Sequence, residues 1–384
     1  MRVLHASKLF PPPFGGIETV LDELTRGLCQ YDPALKIDIL ATHSAASTCS
    51  EFAGGRLQVD LIRSIAQVAR TPIAPSYRSR LKKSEADLIN FHFPYPWAEL
   101  SYLLSGNRKP YLISYHSDIV KQRNLLKLWK PFMYRFLAGA SRIIVASPHI
   151  IESSPFLRGS LAKKTVVIPF GINTESFIPT PESQAAAESL RTRLAGSRPL
   201  LFFLGRLVYY KGAHVLVAAM QNLNAHLVIG GEGPLRAELE QIVRETGCGS
   251  KITFAGSIPP DQLRIYYQAA DLFILPSTDT SEAFGMVMLE AHASGTPVVS
   301  SDLPTGVTFV NEHGKTGLCV ATHDPQALAE GIQSLLSDPE RRRRMSDYAR
   351  ARACQIFDTR VMSARYHQLY EEVLAEYVSR IQSK

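Results

Sequence analysis

The sequence predicts two successive open α/β domains, and three observations lead there. The chain has 384 residues, more than one ordinary core organises. Short apolar runs alternate with stretches of helical period, so the strands form mostly parallel sheets covered on both faces. The alternation stops at a stretch rich in Thr, Pro, Ser and Ala, Asn173–Ser197, and then starts again.

The elements follow in order. Arg2–His5 is a strand, Ser7–Gly16 a Pro/Gly loop and Ile17–Gln30 a helix. Ile37–Ala41, Leu57–Leu61, Leu88–Phe91, Tyr111–Tyr115 and Ile143–Ala146 are further short strands, and Val166–Gly171 is a last strand running into a turn. Asn173–Ser197 reads as the linker. The second series has strands at Leu200–Leu204, Ala225–Ile229, Ile252–Ala255, Leu272–Leu275, Pro297–Ser300 and Gly317–Val320. Its helices begin near Gly212 and cover Leu235–Thr246, Gly285–Ser294 and Pro325–Leu336. A helical tail, Thr359–Ser383, is left over. The expected division is therefore 1–175, 176–358 and a terminal helix, 359–384. In such domains ligands bind at the carboxyl ends of the strands.

Bulk composition excludes several classes. Hydrophobic content is 45% and charged content 20%, ordinary for a soluble globular protein. The N-terminal residues run straight into a strand, with no signal-peptide core or cleavage site. No apolar stretch reaches the ~20 residues of a membrane span. The five cysteines are odd in number, far apart and without zinc spacing, which fits reduced thiols in the cytoplasm. The net charge of +7 is uneven: residues 1–175 carry 22 Lys/Arg against 13 Asp/Glu, and residues 176–384 carry 20 against 22. A basic first half implies an anionic partner surface.

The segment Ser281–Ala291 holds two glutamates, Glu282 and Glu290, eight positions apart across a loop-to-helix transition. The N–H groups of Phe284, Gly285 and Met286 then point at whatever lies above the helix start, a geometry suited to a diphosphate or a ring of hydroxyls. Carboxylates suit sugar hydroxyls because each accepts two hydrogen bonds. Alone, the pair also reads as a first-turn glutamate and an unrelated exposed one.

This segment resembles the E-x7-E motif of retaining glycosyltransferases of the GT-B fold, glycosyltransferase family 4. Gly205-Arg206-Leu207 with Lys211-Gly212 resembles that family's G-R-x4-K-G element, and Gly231-Glu232-Gly233-Pro234 its G-x-G-P turn. Phe14-Gly15-Gly16-Ile17-Glu18 resembles its N-terminal glycine loop, and Val167–Asn173 its interdomain strand end. The resemblance covers nearly the whole chain. It implies two Rossmann-like, doubly wound domains facing a central cleft, the first binding the acceptor and the second a nucleotide-sugar donor. The terminal helix is implied to pack back on the first domain.

The resemblance also implies roles. Arg206 and Lys211 clamp the donor diphosphate and stabilise it as it leaves. Glu290 takes the ribose hydroxyls, and Glu282 contacts the donor sugar with the Phe284, Gly285 and Met286 amides. Gly15 and Gly16 let the backbone approach the phosphates, and Gly233 lies near the base. His116, after the strand Tyr111–Tyr115, contacts the sugar or the transition state. Taken without the family, a lone histidine there is more often structural. Asp118 is an acceptor contact. No D-x-D occurs, so metal-independent chemistry is expected, with Arg206 and Lys211 supplying the positive charge. Where many members have a Gly-Gly-x-x-Glu loop, this chain has Ser301–Val307, whose Thr305-Gly306 backbone remains able to meet phosphate. That variant, with Phe91–Pro96 and Ser114–Asp118, is most similar to bacterial mannosyl- and D-rhamnosyltransferases of lipopolysaccharide O-antigen assembly, which use GDP-sugars. No carboxylate is placed as the covalent nucleophile of glycosidases, so the resemblance favours retention by same-face attack.

Lys121, Arg123, Lys127, Lys130 and Arg135 interleave with Leu125, Leu128, Trp129, Phe132 and Phe136. Such a helix lies on an anionic leaflet or turns its apolar stripe into the core. The basic first half favours the membrane, with a polyprenyl-diphosphate-linked glycan as acceptor, at the inner face of the bacterial cytoplasmic membrane. Nucleic acid is not an expected partner, because the basic residues join no recognised module. Arg341–Arg344 reads as a solvated face or a second membrane contact. The rival readings are a UDP-sugar-dependent transferase of the same fold, an epimerase or phosphorylase, and a non-catalytic nucleotide-sugar-binding assembly protein. The E-x7-E element argues against an epimerase, and the chain carries no pyridoxal-lysine signature of a phosphorylase.

Overall fold

The structure is a computed structural model. It describes residues 1–11, 15–44, 48–69, 71–118 and 123–383, the side chains of 123–127 excepted. The chain divides into two units, Met1–Gly171 with Thr359–Lys384, and Ile172–Asp358. The boundary falls after Gly171, four residues earlier than the sequence placed it. The reason is local: Ile172 N–H donates to Phe357 O at 2.9 Å, and the Thr174 hydroxyl donates to Asp358. Residues 172–175 are thereby tied into the second unit.

The first unit contains β1 (Arg2–Ala6), β2 (Lys36–His43), β3 (Thr48–Phe52), β4 (Leu57–Arg63), a small hairpin β5 (Ala66–Val68) with β6 (Thr71–Ile73), β7 (Leu88–Phe93), β8 (Tyr111–Tyr115), β9 (Arg142–Val145) and β10 (Thr165–Val167). Its main sheet has the order β10-β9-β8-β7-β1-β2-β4-β3. All neighbours are parallel except β3, which pairs antiparallel with β4 at the edge. Periodicity gave no sign of β3, which is exposed throughout. β7 and β8 are buried along their whole length, as strands covered on both faces must be. The helix Gly16–Tyr31 covers one face, and the terminal helix Thr359–Gln382 packs against it. Tyr366, Leu369, Tyr370 and Val373 enter the core there, beside Leu21, Leu24 and Leu28.

The second unit contains β11 (Leu200–Leu204), β12 (His226–Gly230), β13 (Ile252–Gly256), β14 (Leu272–Leu275), β15 (Val298–Ser301) and β16 (Gly317–Val320). They form one parallel sheet of order β13-β12-β11-β14-β15-β16. The expected linker is a correction. Pro181–Ala195 is a helix, with a capping box between Thr180 and Ser183 and Pro181 in the first turn. A capping residue, a first-turn proline and an alanine run outweigh the polar composition. This helix packs on the helix Pro260–Ala269.

Candidate functional site

In an open α/β sheet the crevice lies where strand order reverses, because successive connections leave on opposite faces. In the second unit that point is between β11 and β14. The segment after β11 runs Gly205–Gly212, and the segment after β14 runs Pro276–Gly285. Gly212 sits at φ 69°, and a Cβ on it would stand 1.8 Å from the Pro276 carbonyl oxygen, so the two segments pass backbone to backbone. Gly233 serves the same end: a Cβ there would stand 2.4 Å from Leu207 O. The Leu207 N–H donates to Glu232 O at 2.9 Å, which locks the segments after β11 and β12 together. Glycine at these positions allows a close approach that any side chain would block.

The approach brings Lys211 to Glu282. Their Nζ and Oε2 atoms are 2.6 Å apart, with side-chain exposures of 14% and 8%. The fully buried Ser277 hydroxyl donates to the same Oε2 at 3.0 Å. Glu282 Oε1 has no partner among the described residues. Arg206 is exposed and forms no ion pair among them. Of the two cations the sequence singled out, one is already matched by a carboxylate and the other is open to a ligand.

Gly285, at φ 80°, starts the helix Met286–Ala293. Its first N–H groups lack intrahelical acceptors, and the dipole favours an anion there. Glu290 lies in the second turn and accepts from the Tyr267 hydroxyl at 2.7 Å. Tyr267 is fully buried, and burial first, then the Glu290 charge, raises its pKa. Phe284 is buried, 6.1 Å edge-on from Phe357. The Thr305-Gly306 expectation is corrected. Gly306 N–H donates to Ala283 O at 2.8 Å, Thr305 N–H donates to Leu303 O at 2.7 Å, and the Thr305 hydroxyl donates to Glu282 O at 2.9 Å. These groups brace the Glu282 loop and are not free for phosphate.

In the first unit strand order reverses between β1 and β7. Gly15 and Gly16 are exposed at the start of the helix Gly16–Tyr31, with Glu18 in its first turn. Phe14 lies outside the described residues. A Cβ on Gly15 would stand 2.4 Å from Glu18 Oε2, so Glu18 folds back over this helix start. His116 follows β8 and is buried. Its backbone N–H donates to Phe93 O at 3.1 Å, and its ring stacks on His92 and Phe170 at 5.2 and 5.5 Å. Burial lowers its pKa to about 4, so the ring is neutral near neutral pH. Asp118 Oδ1 accepts from the Tyr115 hydroxyl at 2.5 Å and the Ser154 hydroxyl at 2.7 Å, which fixes the carboxylate.

Sequence reasoning missed what stands behind His116. His92 on β7 and His5 on β1 are buried and continue from it in line, followed by Tyr370 of the terminal helix. The available signal was polar residues inside otherwise apolar strands.

Among the described residues no group of three or more His, Cys, Asp or Glu is arranged to hold a metal ion. Of the two cations at the second unit's crevice, Lys211 is paired with Glu282 and Arg206 is exposed. In the helix Arg123–Gly139, Met133, Phe136 and Leu137 enter the core. Leu128 and Phe132 remain 76% and 47% exposed beside exposed Lys130 and Arg135. Trp129 Nε1 donates to the buried Glu99 at 3.1 Å. Lys121 and the side chains of Arg123, Leu125 and Lys127 lie outside the described residues. No helix among those residues is long and apolar enough to cross a membrane. Arg342 donates to Leu335 O and Leu336 O at 2.8 and 2.6 Å, capping the helix Pro325–Leu336, so this member of the arginine run is structural.

Comparison with known proteins agrees across the chain. Residues 14–176 match the model for Glycosyltransferase Family 4, and residues 187–352 that for Glycosyl transferases group 1. The chain is 36% identical to the D-rhamnosyltransferase WbpZ of Pseudomonas aeruginosa over 93% of this chain and 92% of that protein. It is 33% identical to the O-antigen chain mannosyltransferase C of Escherichia coli over 97% and 99%. The sucrose-phosphate synthase structure from Thermosynechococcus elongatus superposes with a TM-score of 0.78 at 24% identity, covering 98% of this chain and all of that one. Anabaena HepE, solved in complex with UDP, superposes with a TM-score of 0.78 at 21% identity over 97% of this chain and 100% of that one. These likenesses show the GT-B fold of two Rossmann-like units. With both halves matched and two relatives above 30% identity along almost their full length, the chain belongs to glycosyltransferase family 4.

Proposed function

We propose that this glycosyltransferase moves mannose or D-rhamnose from a GDP-sugar to a lipid-linked glycan, with retention, in O-antigen assembly. The observation that carries the reading is the crevice at β11/β14, where exposed Arg206 and the Lys211–Glu282 pair lie among interlocked glycine turns. Likeness to the D-rhamnosyl- and mannosyltransferases supports the sugar and the pathway class.

In this reading Arg206 and Lys211 hold the diphosphate, and the helix start at Gly285 and Met286 adds backbone N–H groups. Glu290 takes the ribose hydroxyls, and Glu282 Oε1 faces the sugar. As the bond from C1 to the phosphate oxygen breaks, the two cations stabilise the charge on the departing nucleoside diphosphate. The acceptor oxygen attacks the same face, and its proton passes to an oxygen of that diphosphate. Because the cations do this work, the reaction runs without a divalent metal. In this reading the first unit receives the acceptor at Asp118, His116 contacts the sugar or the transition state, and the Gly15-Gly16 turn lets the backbone approach the phosphates. The exposed Leu128, Lys130, Phe132 and Arg135 rest on the anionic inner leaflet of the cytoplasmic membrane, where a polyprenyl-diphosphate carrier is anchored.

Thermal shift with GDP, UDP, ADP and CMP, each without metal, tests the donor. A nucleotide at about 100 times its dissociation constant adds about 2.7 kcal/mol. GDP alone should stabilise the protein. Stabilisation by UDP alone replaces the donor with a UDP-sugar, and stabilisation by none removes nucleotide-sugar binding. Inverted anomeric configuration in the product NMR would exclude retention.

A further inference from the structure

We propose that Tyr370, acting through His5 and His92, is a positioning residue that keeps the His116 proton on Nδ1, so that His116 offers substrate a hydrogen-bond donor and not a base. The proposal rests on the reading that His116 faces substrate. It is carried by a continuous chain of hydrogen bonds within the first unit. His116 Nε2 is 2.9 Å from His92 Nδ1, and His92 Nε2 is 3.0 Å from His5 Nδ1. His5 Nε2 is 3.3 Å from the Tyr370 hydroxyl, which accepts from Asn90 Nδ2 at 3.1 Å. Tyr370, at the far end, belongs to the terminal helix.

A neutral imidazole has one N–H and one acceptor nitrogen, so every link of the chain must run in the same direction. Two directions exist. If His116 donates inward, His5 donates to the Tyr370 oxygen. That oxygen then receives two donors, and its own proton has no acceptor among the described residues. If Tyr370 donates to His5 Nε2, each proton has a partner and none is stranded. His5 donates to His92, His92 donates to His116 Nε2, and the His116 proton is left on Nδ1. A buried hydroxyl proton without an acceptor is costly, so the second direction holds. His116 Nδ1 makes no hydrogen bond to any described residue, and His116 as a whole is 5% exposed.

The electrostatics agree. All three rings are buried, and burial lowers His5 to about 3 and His116 to about 4, with His92 lowered as well. None of the three makes a hydrogen bond or ion pair to a carboxylate among the described residues. The arrangement therefore differs from the carboxylate-backed histidine that serves as a general base. A neutral donor suits an oxygen that gains negative charge, or a sugar hydroxyl that must be held.

The test is the ring tautomer, read by long-range ¹H–¹⁵N correlation on protein labelled at histidine, with His5→Gln, His92→Gln and His116→Gln variants to assign signals. Wild type should show all three rings protonated at Nδ1. Tyr370→Phe, which keeps the ring and removes the hydroxyl, should move His116 towards an Nε2–H population. His116 protonated at Nε2 in wild type would overturn the proposal, and so would a Tyr370→Phe spectrum with unchanged tautomers. The wild-type spectrum needs no variant, so poor folding of Tyr370→Phe leaves the question decidable. In the proposed transfer reaction, Tyr370→Phe should lower kcat about tenfold with donor KM unchanged. A tautomer shift without a fall in kcat supports Tyr370's control of the ring and overturns the role given to His116.

Discussion

The two strand-reversal points of this protein are built in opposite ways. At β11/β14 the groups are charged: Lys211 and Glu282 pair at 2.6 Å, and Arg206, in the same segment as Lys211, is exposed. At β1/β7 the polar groups behind His116 are neutral and sealed, with three histidines and a tyrosine in line. Charge at the first point suits binding a diphosphate, since an anion needs a cation that is not fully cancelled. Neutral rings at the second suit orientation, because burial removes charge while the hydrogen bonds fix direction. One topology thus supplies an electrostatic site in one unit and a geometric one in the other.

The comparison breaks most readily at Lys211. Lys211→Ala should lower transfer on the order of 10²–10³-fold by removing a transition-state cation. It should also cost about 3 kcal/mol, because a largely buried Glu282 loses its partner. Lys211→Met with Glu282→Gln should recover most of the stability and none of the rate. Urea unfolding and initial rates check both, and a Lys211→Ala protein as stable as wild type would show that the pair does not stabilise the fold.

Arg206 sharpens the contrast with a smaller, purely functional effect. It is exposed and unpaired among the described residues, so Arg206→Ala should lower the rate about 100-fold with stability unchanged within about 0.5 kcal/mol. A marked fall in melting temperature with normal kinetics would make it a structural cation.

The smallest effect belongs to the neutral region and is read against pH. His5, His92 and His116 titrate below their ordinary 6.5, at about 3 for His5 and about 4 for His116. Unfolded chains take up protons at these sites first as pH falls, so the stability present above 6.5 is progressively lost below it. Glu99 has the opposite sign. Burial raises it from 4.5 to about 7, so the folded state is protonated first and gains stability between those values. Three rings outweigh one carboxyl, and the urea midpoint should fall between about pH 7 and about pH 5. Glu99→Gln removes the offset and should steepen the fall. A midpoint that rises on acidification would mean that the histidine chain is charged.

Much of this protein was written in local order. Apolar runs of strand length alternate with helical periods in both halves, and that alternation fixes two open α/β units. The Glu282–Glu290 spacing and the glycines flanking Arg206 and Lys211 mark one crevice without reference to any contact. Other features were misread or invisible. Pro181–Ala195 looked like a linker because composition was weighed above the Thr180 cap. The exposed edge strand Thr48–Phe52 has no buried face to give it a period. What only the tertiary structure decided is which polar groups meet. Lys211 and Glu282 are 71 positions apart, and His5 and Tyr370 are 365 apart. Their pairing depends on strand order, register and the return of the terminal helix. Periodicity tells a residue which face it occupies, and only packing tells it which neighbour it finds there.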